Sequence, residues 1–314
     1  MAPDSNQVDS SAGDIVAEEH WAKKGDVDLF IFRKYAKDSP KDRKVIFLTH
    51  GSSTTGRTCF DLTVPGQGEY SLMNVLARFG FDVWTMDHEG YGRSSKTDSY
   101  SYIADAIDDL KAATSVIENE TGKSQLAVYG GSSGALRAGM FQNAYPERVE
   151  HLIMASFPYT GKNSPTLIKR AQRLDEFRAT NSRQVDEKYY FNMYTRDTSN
   201  LTVPELPAAV AAAALANGDG SVPNGTYIDM CANLPVVEPE KITCPTLMLR
   251  GDHDGMSTDA DMMEFYDKLG TRDKQMVMLS GQAHNICVGI NRHRFWYLLR
   301  SFLEFPNRID DQSR

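Results

Sequence analysis

The chain has 314 residues, of which 41% are hydrophobic and 24% are charged, and it carries a formal net charge of −8. This composition is typical of a soluble globular chain with a sizeable core. The acidic balance and the lack of a Lys/Arg run that tracks phosphates argue against nucleic acid as a partner, and no apolar run approaches the ~18 residues of a membrane span.

Residues 1–15 are predicted to form a flexible leader, because they are mostly small and polar. They lack the basic segment and the apolar segment of a secretory signal. The four cysteines stand at irregular spacings, which favours reduced thiols over a disulfide framework. We therefore expect a cytoplasmic protein.

After the leader, the hydrophobic pattern alternates between strands and helices. Residues 16–36 are predicted to form two antiparallel strands broken at 24–26, and helical periodicity is clear over 71–79 and again over 103–117. Such alternation is typical of a mostly parallel sheet with helices on both faces. The predicted fold class is therefore α/β.

A buried strand breaks into a helix at a Gly-x-Ser-x-Gly turn centred on Ser132. The apolar run 126–129 precedes the turn, a helix is predicted over 135–145 until a proline ends it, and another strand is predicted over 149–155. Small residues on both sides of Ser132 allow a tight, strained turn that raises its hydroxyl above the sheet edge. The pattern indicates a nucleophile elbow, in which the backbone N–H of Ser133 faces a developing oxyanion.

A long stretch then separates this strand from the next one, where a short crossover would suffice. Helices are predicted over 164–179, 186–194 and 204–216, and a glycine-rich loop is predicted over 218–225. An insertion of this kind suits a helical cap, which excludes bulk water and encloses a small substrate.

The candidate substrate-binding residues are Arg137, Tyr159, Tyr190 and Met230. Arg137 lies on the covered helix behind Ser132, so its guanidinium needs a partner, either an internal carboxylate or an acidic group of the substrate. Aromatic cap residues more often form the cap's own small core, and basic ones more often a solvated helix face. The further candidates are Phe177, Tyr189, Phe191, Met193 and Tyr194 for an apolar wall and Lys169, Arg170, Arg173, Arg178, Arg183 and Arg196 for a carboxylate.

A serine hydroxyl is a poor nucleophile at neutral pH, so Ser132 requires a base and an orienting carboxylate. The turn after one predicted strand offers two carboxylates, Asp252 and Asp254, and the loop after the following strand offers one histidine, His284. The turn is not interpreted as a metal site, because adjacent side chains on an extended turn diverge and no second ligand group lies nearby in sequence.

From residue 27 to residue 305 the chain resembles an α/β-hydrolase with a helical cap. The order nucleophile, acid, histidine is the one that this family uses, and His50-Gly51-Ser52 resembles its oxyanion loop. The resemblance implies that the backbone N–H of Ser52 is the second oxyanion donor. It also implies that Asp254 is the acid, with Asp252 as the alternative.

The same resemblance implies how the chain is divided. The hydrolase core comprises residues 16–156 and 241–308, and the cap comprises residues 157–240. Two motifs of the core depart from the family pattern. Glu89 stands before Gly90-x-Gly92 where an arginine is commoner, and Ala283 stands before His284 in place of glycine. Neither departure removes a catalytic group.

These residues predict a serine hydrolase that cleaves a small carboxylic ester or lactone through an acyl-enzyme. Ser132 is the nucleophile, His284 the base and Asp254 the orienting acid, and the N–H groups of Ser52 and Ser133 form the oxyanion hole. No cofactor and no metal is expected, the partner is a small-molecule substrate, and a homodimer is left open.

Three alternatives share the fold. A carbon–carbon bond hydrolase of the meta-cleavage-product type, which the chain also resembles, requires a cationic pocket, and an amidase can use the same triad. A non-catalytic ligand receptor is the alternative outside enzymes, and the completeness of the triad argues against it. Haloalkane and epoxide chemistry is disfavoured, because it requires a carboxylate nucleophile where this chain has Ser132.

Overall fold

The computed structural model describes residues 14–306 of the chain. The predicted leader, residues 1–15, therefore lies outside the described residues except for its last two, as do the last two residues of the predicted core, 307–308. The strands are β1 (Ile15–Lys24), β2 (Val27–Ala36), β3 (Val45–Thr49), β4 (Asp82–Met86), β5 (Leu126–Gly131), β6 (Val149–Ala155), β7 (Ser182–Gln184), β8 (Ser221–Pro223), β9 (Thr246–Gly251) and β10 (Lys274–Leu279).

The helices of the described residues cover the sheet and fill the segment between β6 and β9. They are α1 (Gly56–Phe60), α2 (Leu72–Arg78), α3 (Ala106–Thr121), α4 (Ser133–Ala144), α5 (Pro165–Ala171), α6 (Leu174–Ala179), α7 (Glu187–Thr195), α8 (Leu206–Ala216), α9 (Gly225–Ala232), α10 (Asp259–Lys268) and α11 (Arg292–Leu303). Of the helices within residues 14–306, none has the length and apolarity needed to cross a membrane.

Within the described chain, eight strands form one sheet in the order β1-β2-β4-β3-β5-β6-β9-β10. β1 and β2 are antiparallel, β2 is antiparallel to β4, and the remaining pairs are parallel. The predicted mostly parallel sheet is therefore confirmed. Because the carboxyl ends of parallel strands meet at one edge, the loops after β3, β5, β9 and β10 lie at the same edge of the sheet.

Strand β3 shows that the sheet is buried on both faces. All of its residues are buried, and successive side chains alternate between two core clusters, with Leu48 in one and Phe47 in the other. Helices α2 and α11 contribute to the cluster of Leu48, whereas α3, α4 and α10 contribute to that of Phe47. Helices thus cover both faces, as the sequence predicts.

Residues 157–240, the predicted cap, leave the sheet after β6 and return before β9; we call them the insertion. The prediction of a single helix over 164–179 is wrong, because the chain forms two helices there, α5 and α6. The break comes where the N–H of Arg173 donates to the carbonyl of Arg170 at 3.0 Å, a tighter turn than the α-helix makes. The sequence also missed the antiparallel pair of β7 and β8 and the helix α9.

Asp219 joins the insertion to two loops of the core. Its carboxylate accepts hydrogen bonds from the N–H of Thr55 at 3.0 Å, the hydroxyl of Thr58 at 3.3 Å and the N–H of Gly92 at 3.2 Å. The side chain is buried, and this burial raises the pKa of Asp219 to about 6. These contacts position the insertion against the loops that follow β3 and β4.

Candidate active site

Ser132 stands between the end of β5 and the start of α4 with a positive φ of 58°. A non-glycine residue in such a strained conformation costs ~1–3 kcal/mol and is typical of functional sites. The glycines near Ser132 are required because the backbone is closely packed there. A Cβ on Gly130 would lie 2.2 Å from the carbonyl oxygen of Gly134, and a Cβ on Gly134 would lie 2.4 Å from the carbonyl oxygen of Thr49. The glycines therefore permit the turn that brings Ser132 to the wall of a cavity.

His284 lines the same cavity and contacts Asp254. Its Nδ1 lies 2.8 Å from Asp254 Oδ1, and because a carboxylate can only accept, Nδ1 carries the proton and Nε2 is left as an acceptor. Asp254 also accepts from the N–H of Met256 at 2.8 Å and the hydroxyl of Ser257 at 2.7 Å. Although burial acts to raise the pKa of Asp254, the contact with His284 and these hydrogen bonds hold it below its ordinary value.

Asp252, the alternative acid, has different partners. Its carboxylate accepts from the N–H of Gly281 at 2.9 Å and from the N–H of Gln282 at 3.2 Å. These bonds tie the turn after β9 to the start of the loop that carries His284. Within residues 14–306, no group of three or more His, Cys, Asp or Glu side chains is arranged to hold a metal ion.

The loop after β3 runs beside the elbow. A Cβ on Gly51 would lie 3.6 Å from the Cβ of Ser132, and Ser52 Oγ hydrogen-bonds Ser133 Oγ at 2.7 Å. Ser133 is the first residue of α4, and the N–H groups of a helix's first turn have no acceptor within the helix. The two residues predicted as oxyanion donors thus lie next to Ser132, and Ser52 lines the cavity.

Arg137 supports the loop after β3. The prediction that its guanidinium pairs with a carboxylate is wrong. The side chain is fully buried, and it donates to the carbonyl of His50 at 3.3 Å and to Ser101 Oγ at 3.4 Å. Its guanidinium also lies 5.2 Å from the ring centre of Tyr91. None of the ion pairs among the described residues involves Arg137, because a carbonyl, a hydroxyl and an aromatic ring surround the guanidinium instead. Arg137 lies outside the cavity wall, so its role is to hold the loop after β3 and not to bind substrate.

The other three candidate substrate-binding residues also lie outside the cavity wall. Tyr159 packs against Phe265 of α10, with ring centres 5.2 Å apart, and Met230 is buried in the core cluster of Phe47. Tyr190 comes nearer, since its hydroxyl donates at 3.1 Å to the carbonyl of Ser53, which does line the cavity. Tyr159 and Met230 therefore pack as core, and Tyr190 supports a wall residue.

The insertion supplies other residues to the cavity wall. Those it contributes are Arg170, Met193, Tyr194, Arg196 and Tyr227. The first four belong to the basic and aromatic sets that the sequence singled out without separating them. Tyr227 lies on α9, which the sequence did not predict, so no sequence signal pointed to it.

Tyr227 is held between two guanidinium groups. Its ring centre is 3.6 Å from Arg170 and 3.7 Å from Arg183, and its hydroxyl is 2.6 Å from that of Tyr189 and 3.2 Å from Ser53 Oγ. Burial acts to raise the pKa of Tyr227, but the two arginine charges hold it below its ordinary value. Tyr227 of the cavity wall is therefore flanked by two positive charges, and its hydroxyl ionises more readily than that of an ordinary tyrosine.

Sequence comparison identifies one family. The model described as serine aminopeptidase, S33, matches residues 68–289. The matched range contains Ser132, Asp254 and His284, whereas Ser52 lies before it. Among curated proteins, none gives a significant match to this chain.

Solved structures share the fold over most of the chain. The enol-lactonase from Burkholderia xenovorans LB400 gives a TM-score of 0.63 at 16% identity, with 90% of this chain and 99% of that chain covered. The thermophilic esterase from Thermogutta terrifontis gives a TM-score of 0.65 at 17% identity, with 91% of this chain and 98% of that chain covered. The bromoperoxidase from Bacillus anthracis gives a TM-score of 0.66 at 17% identity, with 91% of this chain and 100% of that chain covered. Identities this low show the fold alone, so the likeness confirms the predicted α/β-hydrolase fold and leaves the substrate open.

Proposed function

The chain belongs to the serine aminopeptidase S33 family and is a serine hydrolase of the α/β-hydrolase fold, and from this premise we propose that it cleaves a small carboxylic ester or lactone through an acyl-enzyme. The proposal is carried by the 2.8 Å contact of His284 Nδ1 with Asp254 Oδ1 at a cavity that Ser132 also lines. Two of the structural neighbours are named as an enol-lactonase and an esterase, which supports the choice of bond.

In the proposed mechanism, Ser132 Oγ attacks the carbonyl carbon while His284 Nε2 takes the hydroxyl proton. Asp254 keeps Nδ1 protonated and stabilises the imidazolium that forms. The oxyanion accepts hydrogen bonds from the backbone N–H groups of Ser52 and Ser133. His284 then gives its proton to the leaving oxygen, and the carbon–oxygen bond of the ester breaks.

Deacylation repeats these steps with water as the nucleophile. His284 takes a proton from water, the resulting hydroxide attacks the acyl carbon, and the proton returns to Ser132 Oγ as the bond to serine breaks. The products are a carboxylic acid and an alcohol, or a hydroxy acid from a lactone. This chemistry needs nothing beyond the triad and the oxyanion hole.

The insertion acts as the cap in this proposal. It supplies part of the cavity wall, including Tyr194 and Tyr227, and so shields the acyl-enzyme from bulk water. A cavity walled on one side by a cap suits a small substrate better than an emulsified lipid.

The test compares the wild-type protein with Ser132→Ala in fluorophosphonate labelling and in turnover of short and aromatic p-nitrophenyl esters, lactones and a meta-cleavage dienoate. We expect labelling and ester turnover that Ser132→Ala abolishes. Ser115→Ala is the matched control, because Ser115 is exposed on α3 and only donates to the carbonyl of Lys111. Dienoate cleavage without ester turnover would instead indicate a carbon–carbon hydrolase, and an unlabelled wild-type protein would indicate a receptor.

A further inference from the structure

Two arginines of the cavity wall carry N–H groups without an acceptor. Among the described residues, Arg170 Nη1 and both Nε and Nη2 of Arg196 are buried and make no hydrogen bond. Both residues line the cavity that contains Ser132. A buried donor without an acceptor is costly, and a charged one more so. These N–H groups are therefore available to an acceptor from outside the chain.

The nearby carboxylates do not satisfy all of these guanidinium N–H groups. Asp197 Oδ1 lies 3.5 Å from Arg196 Nε, but Asp197 Oδ2 also accepts from the N–H of His284, and Asp254 is occupied by the His284 ring. Arg170 takes part in none of the ion pairs of the described residues; its guanidinium lies over the ring of Tyr227. Arg170 is thus without a carboxylate partner among the described residues, and Arg196 shares Asp197 with the N–H of His284.

Neighbouring groups act on Arg170 in both directions. Burial lowers the pKa of Arg170 most, the charge of Tyr227 opposes this, and Arg196 lowers the pKa further, since two cations repel at close range. Arg183 adds a third guanidinium on the far side of the Tyr227 ring. Its Nη1 and Nη2 donate to the carbonyls of Pro223 and Ser52, its Nε is buried without an acceptor, and it does not line the cavity. Arg170 and Arg196 are therefore the two guanidinium groups of the cavity wall with free donors.

We infer that Arg170 and Arg196 form a subsite for a carboxylate of the substrate, so that the scissile ester belongs to a molecule with a second, anionic group. This inference rests on the proposed function, because it names the substrate class of the same site. Guanidinium donors match the two oxygens of a carboxylate, and a charge-assisted pair in a water-poor cavity is stronger than one at the surface. The neutral part of the substrate then lies between this subsite and Ser132.

Two substrate pairs test the subsite, each pair differing only in charge. Monoethyl glutarate and ethyl glutaramate place the carboxylate or its amide on the acyl side, and 4-acetoxybenzoate and 4-acetoxybenzamide place it on the leaving group. We expect the wild-type protein to prefer the anionic member of at least one pair by roughly ten- to hundred-fold in kcat/KM, the usual range for hydrogen bonds to a charged group.

Arg170→Gln and Arg196→Gln should each remove most of this preference, because kcat/KM for the anionic member should fall several-fold more than kcat/KM for the neutral member. Arg173→Gln is the matched control, because Arg173 lies in the same part of the insertion but is exposed and pairs with Glu176 at 2.8 Å. It should keep the wild-type preference. Turnover of the neutral esters with no preference for either anion, or a preference that survives both glutamine variants, overturns the inference.

A binding measurement separates this result from a failure of the proposed function. Glutarate and 4-hydroxybenzoate are the anionic products, and at least one should raise the Tm of the wild-type protein more than its amide does. The effect should be lost in Arg170→Gln and kept in Arg173→Gln. If Ser132 is not labelled but the anion still stabilises, the hydrolase proposal fails and the subsite stands; if neither anion stabilises, the subsite fails.

Discussion

Replacing Asp254 with asparagine keeps the shape of the side chain and removes its charge. In the wild-type protein Asp254 Oδ1 lies 2.8 Å from His284 Nδ1, and the carboxylate also accepts from the N–H of Met256 and the hydroxyl of Ser257. An asparagine oxygen can still accept from Met256, so the turn is retained. In the proposed mechanism, it cannot stabilise the imidazolium that forms when His284 takes the proton of Ser132.

The size of the effect follows from that distance. A hydrogen-bonded pair with heavy atoms 2.8 Å apart has its charge centres about 4 Å apart, where two unit charges interact by ~4 kcal/mol at an effective dielectric constant of ~20. The interaction exists mainly in the transition state, because the imidazole is neutral before proton transfer. Its loss should therefore lower kcat by about 10³-fold and leave KM nearly unchanged.

The assay is steady-state turnover of the best ester substrate, with circular dichroism and Tm as checks on folding. Asp252→Asn is the matched control, because Asp252 is the neighbouring aspartate on the same turn and its partners are backbone N–H groups. It should keep kcat within about three-fold, since its carboxylate does not contact His284. If Asp252→Asn is the inactive variant and Asp254→Asn is active, the assignment of the acid is wrong.

Two further predictions concern folding stability. Gly130→Ala should lower the free energy of unfolding by more than ~3 kcal/mol, because the added Cβ would lie 2.2 Å from the backbone oxygen of Gly134. Gly220→Ala is the control and should change the free energy of unfolding by less than ~0.5 kcal/mol, because its Cβ would have no atom within 4 Å. Equal urea midpoints for the two variants would contradict this prediction. Burial raises the pKa of Asp219 to about 6, so the folded state binds a proton that the unfolded state releases and stability decreases as pH rises toward 6. Measured by urea unfolding, the free energy of unfolding of the wild-type protein should fall by roughly 2–3 kcal/mol relative to that of Asp219→Asn between about pH 4 and pH 6.5. A difference between the two proteins that does not change with pH would refute the burial argument.

The elements around the elbow could be predicted because their signals are local. The strand predicted over 149–155 is β6, and the helix predicted over 135–145 is α4 with its start two residues earlier. Apolar runs, flanking glycines and a terminating proline act within a few residues of one another. The order of Ser132, Asp254 and His284 along the chain then limited the candidate site to the loops at one sheet edge.

The cavity wall could not be predicted, because it depends on contacts between residues far apart in sequence. β7 and β8 have three residues each, too few to show a strand period, and the helix that carries Tyr227 follows them. The partners of Arg137 were equally hidden, since a carbonyl and a hydroxyl give no charge signal in a sequence. Arg170 and Arg173 look alike in sequence, and only packing separates the buried one from the exposed one.

The contacts of Asp219 limit which parts of this protein can be exchanged with those of another hydrolase. One carboxylate of the insertion satisfies the N–H of Thr55, three residues beyond Ser52, and that of Gly92 in the loop after β4. A chimera that receives its cap from another hydrolase would bury both N–H groups without an acceptor unless the donor supplies one at the same place. Substrate range can therefore change through single residues of the cavity wall, whereas exchange of the whole insertion as a module is restricted by a bond to the loop that follows β3.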